Sequence, residues 1–457
     1  MDKGRHEQFL EFRKKYPKFI YSKYRVSESG EALSLDFHFI IPGLSEFKPH
    51  WEITKSNLFS FDINDKQLDD LIFSLGMVEL VSYWKITCSP EVHIECGTLS
   101  QAQSDWWKKL YKKGLGEFFY TNGIPVADDF MNIVSHVNNF NTPIENKINN
   151  GTPKVLIPIG GGKDSAVSLE LLRDCAERYC YMINPKKAAL DTVSASLIPS
   201  ENVIIASRTL DDNMIALNKQ GFLNGHTPFS ALVAFSSVIA AYIHGIEYIA
   251  LSNESSANEP TVLDSDVNHQ YSKSFEFESD FINYESEYIK SGVKYFSLLR
   301  PLTEIGIARI FSRLEKYHPI FLSCNEGSKS DIWCANCSKC LFVYIILSPF
   351  LSEDRMVSIF GRNILNDPQL IPTLEELIGI KPEKPFECVG SCDEVNAALQ
   401  ELLRQHESTT AVLPELLEFY KRLDLVNQHD ISMICASYDE NNYVPERFVQ
   451  AIRNALK

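Results

Sequence analysis

The stretch Val155-Leu156-Ile157-Pro158-Ile159-Gly160-Gly161-Gly162-Lys163-Asp164-Ser165 constrains the fold of this chain more than any other. An apolar run with β-branched residues stops at three glycines, and helical periodicity resumes over Ala166–Ala176. The order predicts a strand, a tight turn and a helix. Glycines let the backbone turn sharply and bring bare N–H groups close to a ligand. The helix that starts there points its positive end at the same place. Such a site favours phosphate. Asp164 beside a polyphosphate would be repelled unless a cation bridges them, so the spacing calls for Mg²⁺ on that carboxylate.

Two common phosphate loops are excluded. The Walker pattern needs Gly-Lys followed at once by Ser or Thr, and Asp164 intervenes; the G-x-G-x-x-G dinucleotide fingerprint is absent. The run Gly160–Ser165 instead resembles the S-G-G-x-D-S loop of the PP-loop ATP pyrophosphatases. That resemblance implies cleavage of ATP between its α and β phosphates, with adenylation of a carboxyl or carbonyl oxygen. Gly160 stands where that family usually has serine, which removes one hydroxyl donor and leaves the amides.

The chain has 457 residues, 44% hydrophobic and 23% charged, the composition of a soluble globular protein of roughly three domains. Its net charge of −16 argues against general nucleic-acid binding, which needs a basic surface. The one basic run, Trp106-Trp107-Lys108-Lys109-Leu110-Tyr111-Lys112-Lys113, has its aromatics at helical spacing and reads as an amphipathic helix. No targeting segment and no membrane-length apolar run are expected. Eleven cysteines, one tight cluster among them, fit a cytoplasmic protein with reduced thiols and one metal site.

Residues 1–145 read as an α+β N-terminal domain, with a strand at Ala32–Ile41 and helical spacing from Leu68 to Cys88. Asn138–Gly151 reads as a linker. Residues 146–352 follow a βα rhythm: strands at Val155–Ile159, Asn202–Ser207 and Tyr248–Ser252, and a long apolar helix at Ser230–Tyr242. Such alternation predicts an α/β domain with a parallel, doubly wound sheet and ligands at the carboxyl ends of its strands. Those ends are Gly160–Ser165, Ser207-Arg208 and Ser252-Asn253-Glu254, all polar. Residues 353–457 read as a helical C-terminal region, with amphipathic patterns at Asp393–Gln405, Leu413–Leu423 and Pro445–Leu456.

Cys324, Cys334, Cys337 and Cys340 form C-x9-C-x2-C-x2-C, which can converge on one tetrahedral Zn²⁺. An iron–sulfur cluster and a metal-free loop are the other readings. Four ligands leave no open position, so a structural site is expected, pinning its loop to a helix at Leu341–Leu347, with Lys339 easing the thiolate charge. Of the remaining cysteines most read as buried apolar residues, while Cys388 and Cys392 flank a polar loop where a reactive thiol is the alternative.

The segments Ser252–Glu259 and Asn268–Glu278 hold hydrogen-bonding groups of nearly every type and follow a strand end. Arg300 offers a bidentate clamp for a phosphate or carboxylate. Together with Gly76–Lys85, Trp106–Leu110 and Gly114–Tyr120, the glycine loop, the four cysteines and Phe386–Gly390, the stretches Ser252–Asn258 and Asn268–Glu278 resemble the UDP-N-acetylmuramoyl-L-alanyl-L-glutamate epimerase family over about residues 35–400. The resemblance implies inversion of the terminal L-glutamate of a UDP-muramoyl dipeptide in peptidoglycan synthesis, with ATP and Mg²⁺ consumed and AMP and pyrophosphate released. On that reading Gly160, Gly161, Gly162 and Ser165 hold the pyrophosphate and Lys163 neutralises its charge. Asp164 binds Mg²⁺, Ser207 and Arg208 lie near adenine, and Ser252, Asn253 and Arg300 complete the nucleotide contacts. Base and acid come from His269, Lys273, Glu276 or Tyr271. The competing readings are a PP-loop enzyme of nucleobase modification, which shares the cysteine pattern, and a non-catalytic nucleotide-binding module.

Overall fold

The computed structural model describes residues 3–136, 151–262, 265–409, 412–425 and 430–457. Apart from Gly151, the expected linker lies outside the described residues. The strands are β1 Lys18–Glu28, β2 Ala32–Ile41, β3 Ser45–Phe47, β4 His50–Thr54, β5 Glu91–Thr98, β6 Asn132–His136, β7 Lys154–Pro158, β8 Glu177–Ile183, β9 Val203–Thr209, β10 Tyr248–Leu251 and β11 Lys294–Ser297. The chain forms two compact units. One comprises Met1–Gly151, Ser200–Ile249 and Asp266–Tyr295; the other comprises Thr152–Pro199, Ala250–Ser265 and Phe296–Lys457. No helix among the described residues is long and apolar enough to cross a membrane.

In the first unit the strand order is β9-β4-β2-β1-β5-β6, with β3 beside β2. β1 and β2 form an antiparallel hairpin, while β1, β5 and β6 pair in parallel. β2 alternates as its sequence does: Leu33, Leu35, Phe37, Phe39 and Ile41 are buried, and the residues between them face outward. That apolar face packs with the helix Lys66–Trp84, which Asp65 caps by accepting from the Leu68 N–H. Fully buried rings such as Trp51, Tyr83 and Trp84 each contribute roughly 1.5–3 kcal/mol of apolar transfer. β9 pairs antiparallel with β4, where the sequence reading made it a strand of a parallel sheet. Long-range contacts accompany this pairing. Arg208 on β9 grips the fully buried Glu79 of the helix through two bonds of 2.9 and 2.7 Å, and the indole N–H of Trp51 on β4 donates to the same carboxylate at 3.1 Å. A buried carboxylate needs such partners.

β7 and β8 lie in the second unit and are parallel. The expected strand, turn and helix around the glycines are all present: β7 ends at Pro158 and a helix runs Lys163–Leu171. The expected C-terminal helices appear as Cys392–Thr409, Glu415–Arg422 and Glu446–Ala455. The chain is thus α/β.

Candidate active site

Gly160 is exposed, Gly162 and Asp164 are half-exposed, and Gly161 is buried. Gly161 has φ +88°, and a Cβ there would lie 2.6 Å from the Ala189 nitrogen, so both conformation and space require glycine. A Cβ on Gly160 would meet nothing within 4 Å. Gly162 is the N-cap of the helix Lys163–Leu171 and no side chain caps that end, a helix start whose dipole favours an anion. The loop is braced from behind: Leu322 N–H donates to Gly161 O at 2.9 Å, and the Ser165 hydroxyl donates to Gly162 O at 3.0 Å.

Lys163 turns inward. Its ammonium is buried and bonds both Asp164 and Glu304, the latter in the first turn of the helix Glu304–Ser312. Burial lowers the Lys163 pKa, but the two carboxylates outweigh it and the net shift is upward. Burial pushes the Glu304 carboxyl up against the pull of Lys163, since Asp164 and Glu254 repel its charge. Glu394, also buried, is pushed up by the same desolvation and accepts from the Ile305 N–H at 3.2 Å. The loop therefore stands in front of one fixed cation and a set of carboxyl groups. Ser252 follows β10, its hydroxyl 2.8 Å from that of Ser168; Asn253 donates to Ser297 at 3.1 Å. Arg300 is fully buried and donates to the Glu254 carbonyl. All of these residues belong to the second unit.

The four cysteines of the cluster converge there too. The sulfurs of Cys324 and Cys337 are 3.9 Å apart, those of Cys334 and Cys340 3.6 Å, and those of Cys337 and Cys340 3.5 Å. A tetrahedron with Zn–S bonds of about 2.3 Å has edges of about 3.8 Å, so the donor set fits the ion. The amides of Gly327 and Cys334 donate to the Cys324 sulfur, and the hydrogen bond between Cys337 and Cys340 draws the Cys337 thiol down. The helix Ser338–Leu347 begins within the cluster, as expected. Lys339 is used differently from expectation: its ammonium donates to the Cys388 carbonyl, tying the cluster to the next loop. Burial pushes the Cys392 thiol up, which disfavours a thiolate there.

His269, Tyr271, Lys273 and Glu276 lie in the first unit, as do Ser207 and Arg208. Ser207 is exposed on β9, and the Arg208 guanidinium is held by Glu79 and Ser82. Glu276 opens the helix Phe275–Tyr284 and is gripped by Lys109 at 2.9 Å and Lys113 at 2.7 Å. Those lysines stand on the helix Gln101–Gly114, which Ser100 and Gln103 start with a capping box. Lys273 ends a short 3-10 turn behind the buried Tyr271. His269 bonds Glu117 through Nδ1, and His226 stands beside both. Sequence reasoning missed Glu117, His226, Lys85, Glu304 and Glu394 as site residues. Glu117 and Lys85 fall inside the stretches that carry the family resemblance; His226 is a lone histidine in a Gly- and Pro-bounded loop with no local signal.

Fold and site define an α/β protein with a glycine-rich loop between a strand end and a helix, and a cluster of four converging cysteines. Two family models match it: the MurL N-terminal domain over residues 11–298 and the MurL C-terminal domain over residues 320–429. The chain belongs to the MurL family. Among curated relatives it is similar to proteins named UDP-N-acetyl-alpha-D-muramoyl-L-alanyl-L-glutamate epimerase. That of a Micromonospora species is 34% identical, over 73% of this chain and 74% of the relative. That of Xanthomonas oryzae pv. oryzae is 32% identical, again over 73% and 74%. That of Salinispora tropica is 35% identical, over 74% and 75%. No solved structure matches significantly.

Proposed function

We propose that this protein is an ATP-dependent epimerase that inverts the terminal glutamate of UDP-N-acetylmuramoyl-L-alanyl-L-glutamate. The observation that carries the reading is the uncapped helix start behind Gly160–Gly162 in a chain whose relatives bear that name. An α-proton beside an ionised carboxylate is hard to remove, because the carbanion would sit next to negative charge. Adenylation removes that charge. The glutamate carboxylate oxygen attacks the α-phosphorus of ATP, the bond to the β,γ-pyrophosphate breaks, and the acyl carbonyl can then accept electron density. Base removes the α-proton, acid returns one, and hydrolysis releases AMP.

In this reading the amides of Gly160, Gly161 and Gly162 receive the departing pyrophosphate, and the Ser165 hydroxyl, which donates to Gly162 O, holds the loop in shape for it. Lys163 acts as a buried positive charge behind them. Asp164, half-exposed and a hard oxygen donor, would hold Mg²⁺, which when bound neutralises the polyphosphate. Ser252, Asn253 and Arg300 shape the polar ground beside the loop. Cys324, Cys334, Cys337 and Cys340 would hold Zn²⁺, which when bound pins their loop. Proton transfer falls to His269, Lys273 and Glu276, with His269 foremost because Glu117 orients its ring.

Asp164→Ala is expected to lower substrate-dependent AMP release at least 100-fold with a native circular dichroism spectrum, Lys163 keeping Glu304 as its partner. Wild-type AMP release by that variant would overturn the loop assignment.

A further inference from the structure

In the second unit the segment Phe386–Gly390 closes over a buried carboxylate. A Cβ on Gly390 would lie 3.1 Å from Glu304 Cγ and 3.0 Å from the Phe342 ring, so bare backbone packs directly on both. The Lys339 ammonium holds the same segment by the Cys388 carbonyl, and Val389 between them is buried. Ser391 and Glu394 follow as a reciprocal cap. The Ser391 N–H and hydroxyl donate to Glu394 Oε2 at 3.1 and 2.9 Å, and the Glu394 N–H donates to Ser391 Oγ at 3.2 Å. The other Glu394 oxygen accepts from the Ile305 N–H at 3.2 Å. One carboxylate therefore caps two helices, Cys392–Thr409 and Glu304–Ser312.

Glu304 is the first residue of the second of these. Thr303 caps the same end, accepting from the Gly306 N–H at 3.0 Å and donating to the Ile434 carbonyl at 3.2 Å. The Glu304 backbone is thus held by two caps and its side chain by packing. Its carboxylate bonds the Lys163 ammonium, which also bonds Asp164. Lys163 and Glu304 are each 2% exposed, while Asp164 is half-exposed at the loop. One cation therefore stands between a fixed carboxylate and a carboxylate that solvent can reach. A divalent cation on Asp164 would draw on that negative charge and repel the ammonium beside it. A buried charge that loses a partner is costly, so Lys163 then depends on Glu304.

We propose that Glu304 is the positioning residue of the glycine loop: it anchors Lys163 when Asp164 exchanges the ammonium for Mg²⁺, and the segment Cys388–Gly390 clamps it in that place. The inference rests on the reading of the loop as a Mg²⁺-ATP site. With Glu304 in place, the ammonium stays behind the loop as Asp164 turns to the metal. Without the Glu304 charge, the ammonium is left to Asp164, and Mg²⁺ must displace it from its own ligand. The segment Phe386–Gly390 thereby acts on the loop through one side chain.

The test is calorimetric titration of the full chain with ATP at a series of Mg²⁺ concentrations. The free Mg²⁺ that half-saturates ATP binding is expected to rise at least tenfold in Glu304→Gln, as for other groups that orient a metal's ligand. Glu304→Asp is expected to recover part of that rise. A chain that is merely loosened would bind fewer ATP molecules at the wild-type Mg²⁺ requirement, and that result in Glu304→Gln would overturn the role. Gly390→Ala keeps every charge and pushes on Glu304, so it is expected to raise the requirement at least twofold. Should Glu304→Gln not fold, Gly390→Ala decides alone, and an unchanged requirement there overturns the proposal. Adding Glu304→Gln to Lys163→Met is expected to raise the requirement no further; another tenfold rise would mean that Glu304 does not act through Lys163. Each of these failures leaves the loop reading intact. ATP binding by the wild-type protein that is absent, or indifferent to Mg²⁺, overturns the loop reading and this proposal with it.

Discussion

Burial of a neutral His226 ties stability to pH. Its native pKa of about 4 lies below the ordinary value near 6.5, with burial the largest cause and His269 the next. The unfolded chain therefore binds more protons between those values. The stabilisation is present above about pH 6.5 and is lost as pH falls toward 4. His226→Gln is expected to flatten that loss, by up to roughly 3 kcal/mol at the acid end, in urea unfolding at pH 7 and pH 4.5. The glycines make a second contrast at this scale. Gly160→Ser should leave the melting temperature unchanged, since its Cβ meets open space. Gly161→Ala should lower it by several degrees, since positive φ and the Ala189 backbone both oppose a side chain. The loop was legible because its chemistry is contiguous in sequence. Glu304 and His226 were not: Glu304 lies 141 residues from the Lys163 it bonds, and nothing local marks either residue.

Strong local patterns carried most elements. The helix Lys66–Trp84, the alternating β2 and the strand–turn–helix at the glycines follow from periodicity and punctuation alone. β1 and β8 were missed, because Lys, Arg, Tyr and Cys interrupt their alternation and only their partner strands give them a buried face. The antiparallel pairing of β9 with β4, like the ion pair between Arg208 and Glu79, joins residues far apart in sequence. Packing between helix and sheet gives a further test. A Cβ at Gly76 would overlap the ring of the fully buried Tyr21 and crowd Phe37. Gly76→Ala is expected to destabilise the protein by about 1–3 kcal/mol in chemical denaturation, despite alanine's better helix propensity.

At the scale of the molecule, each unit is assembled from three separate stretches of chain, an arrangement that composition and proline or asparagine punctuation do not encode. The cysteine cluster offers a handle on one unit. Purified protein is expected to carry about one zinc per chain by mass spectrometry, given four converging thiols. Removing it should raise amide exchange around Cys324–Cys340 and the helix Ser338–Leu347. Unchanged exchange in a metal-free sample would mean that the cluster is not structural.

The central claim is that activation of a carboxyl group at the glycine loop makes the neighbouring C–H bond labile. It is tested most directly by incubating the protein with ATP, Mg²⁺ and UDP-N-acetylmuramoyl-L-alanyl-L-glutamate in D₂O, then counting AMP and resolving the glutamate by chiral chromatography. The expected result is D-glutamate carrying one α-deuterium, in step with AMP and absent without ATP. Inversion that proceeds at full rate without ATP, or AMP release that leaves all the glutamate L, would contradict it.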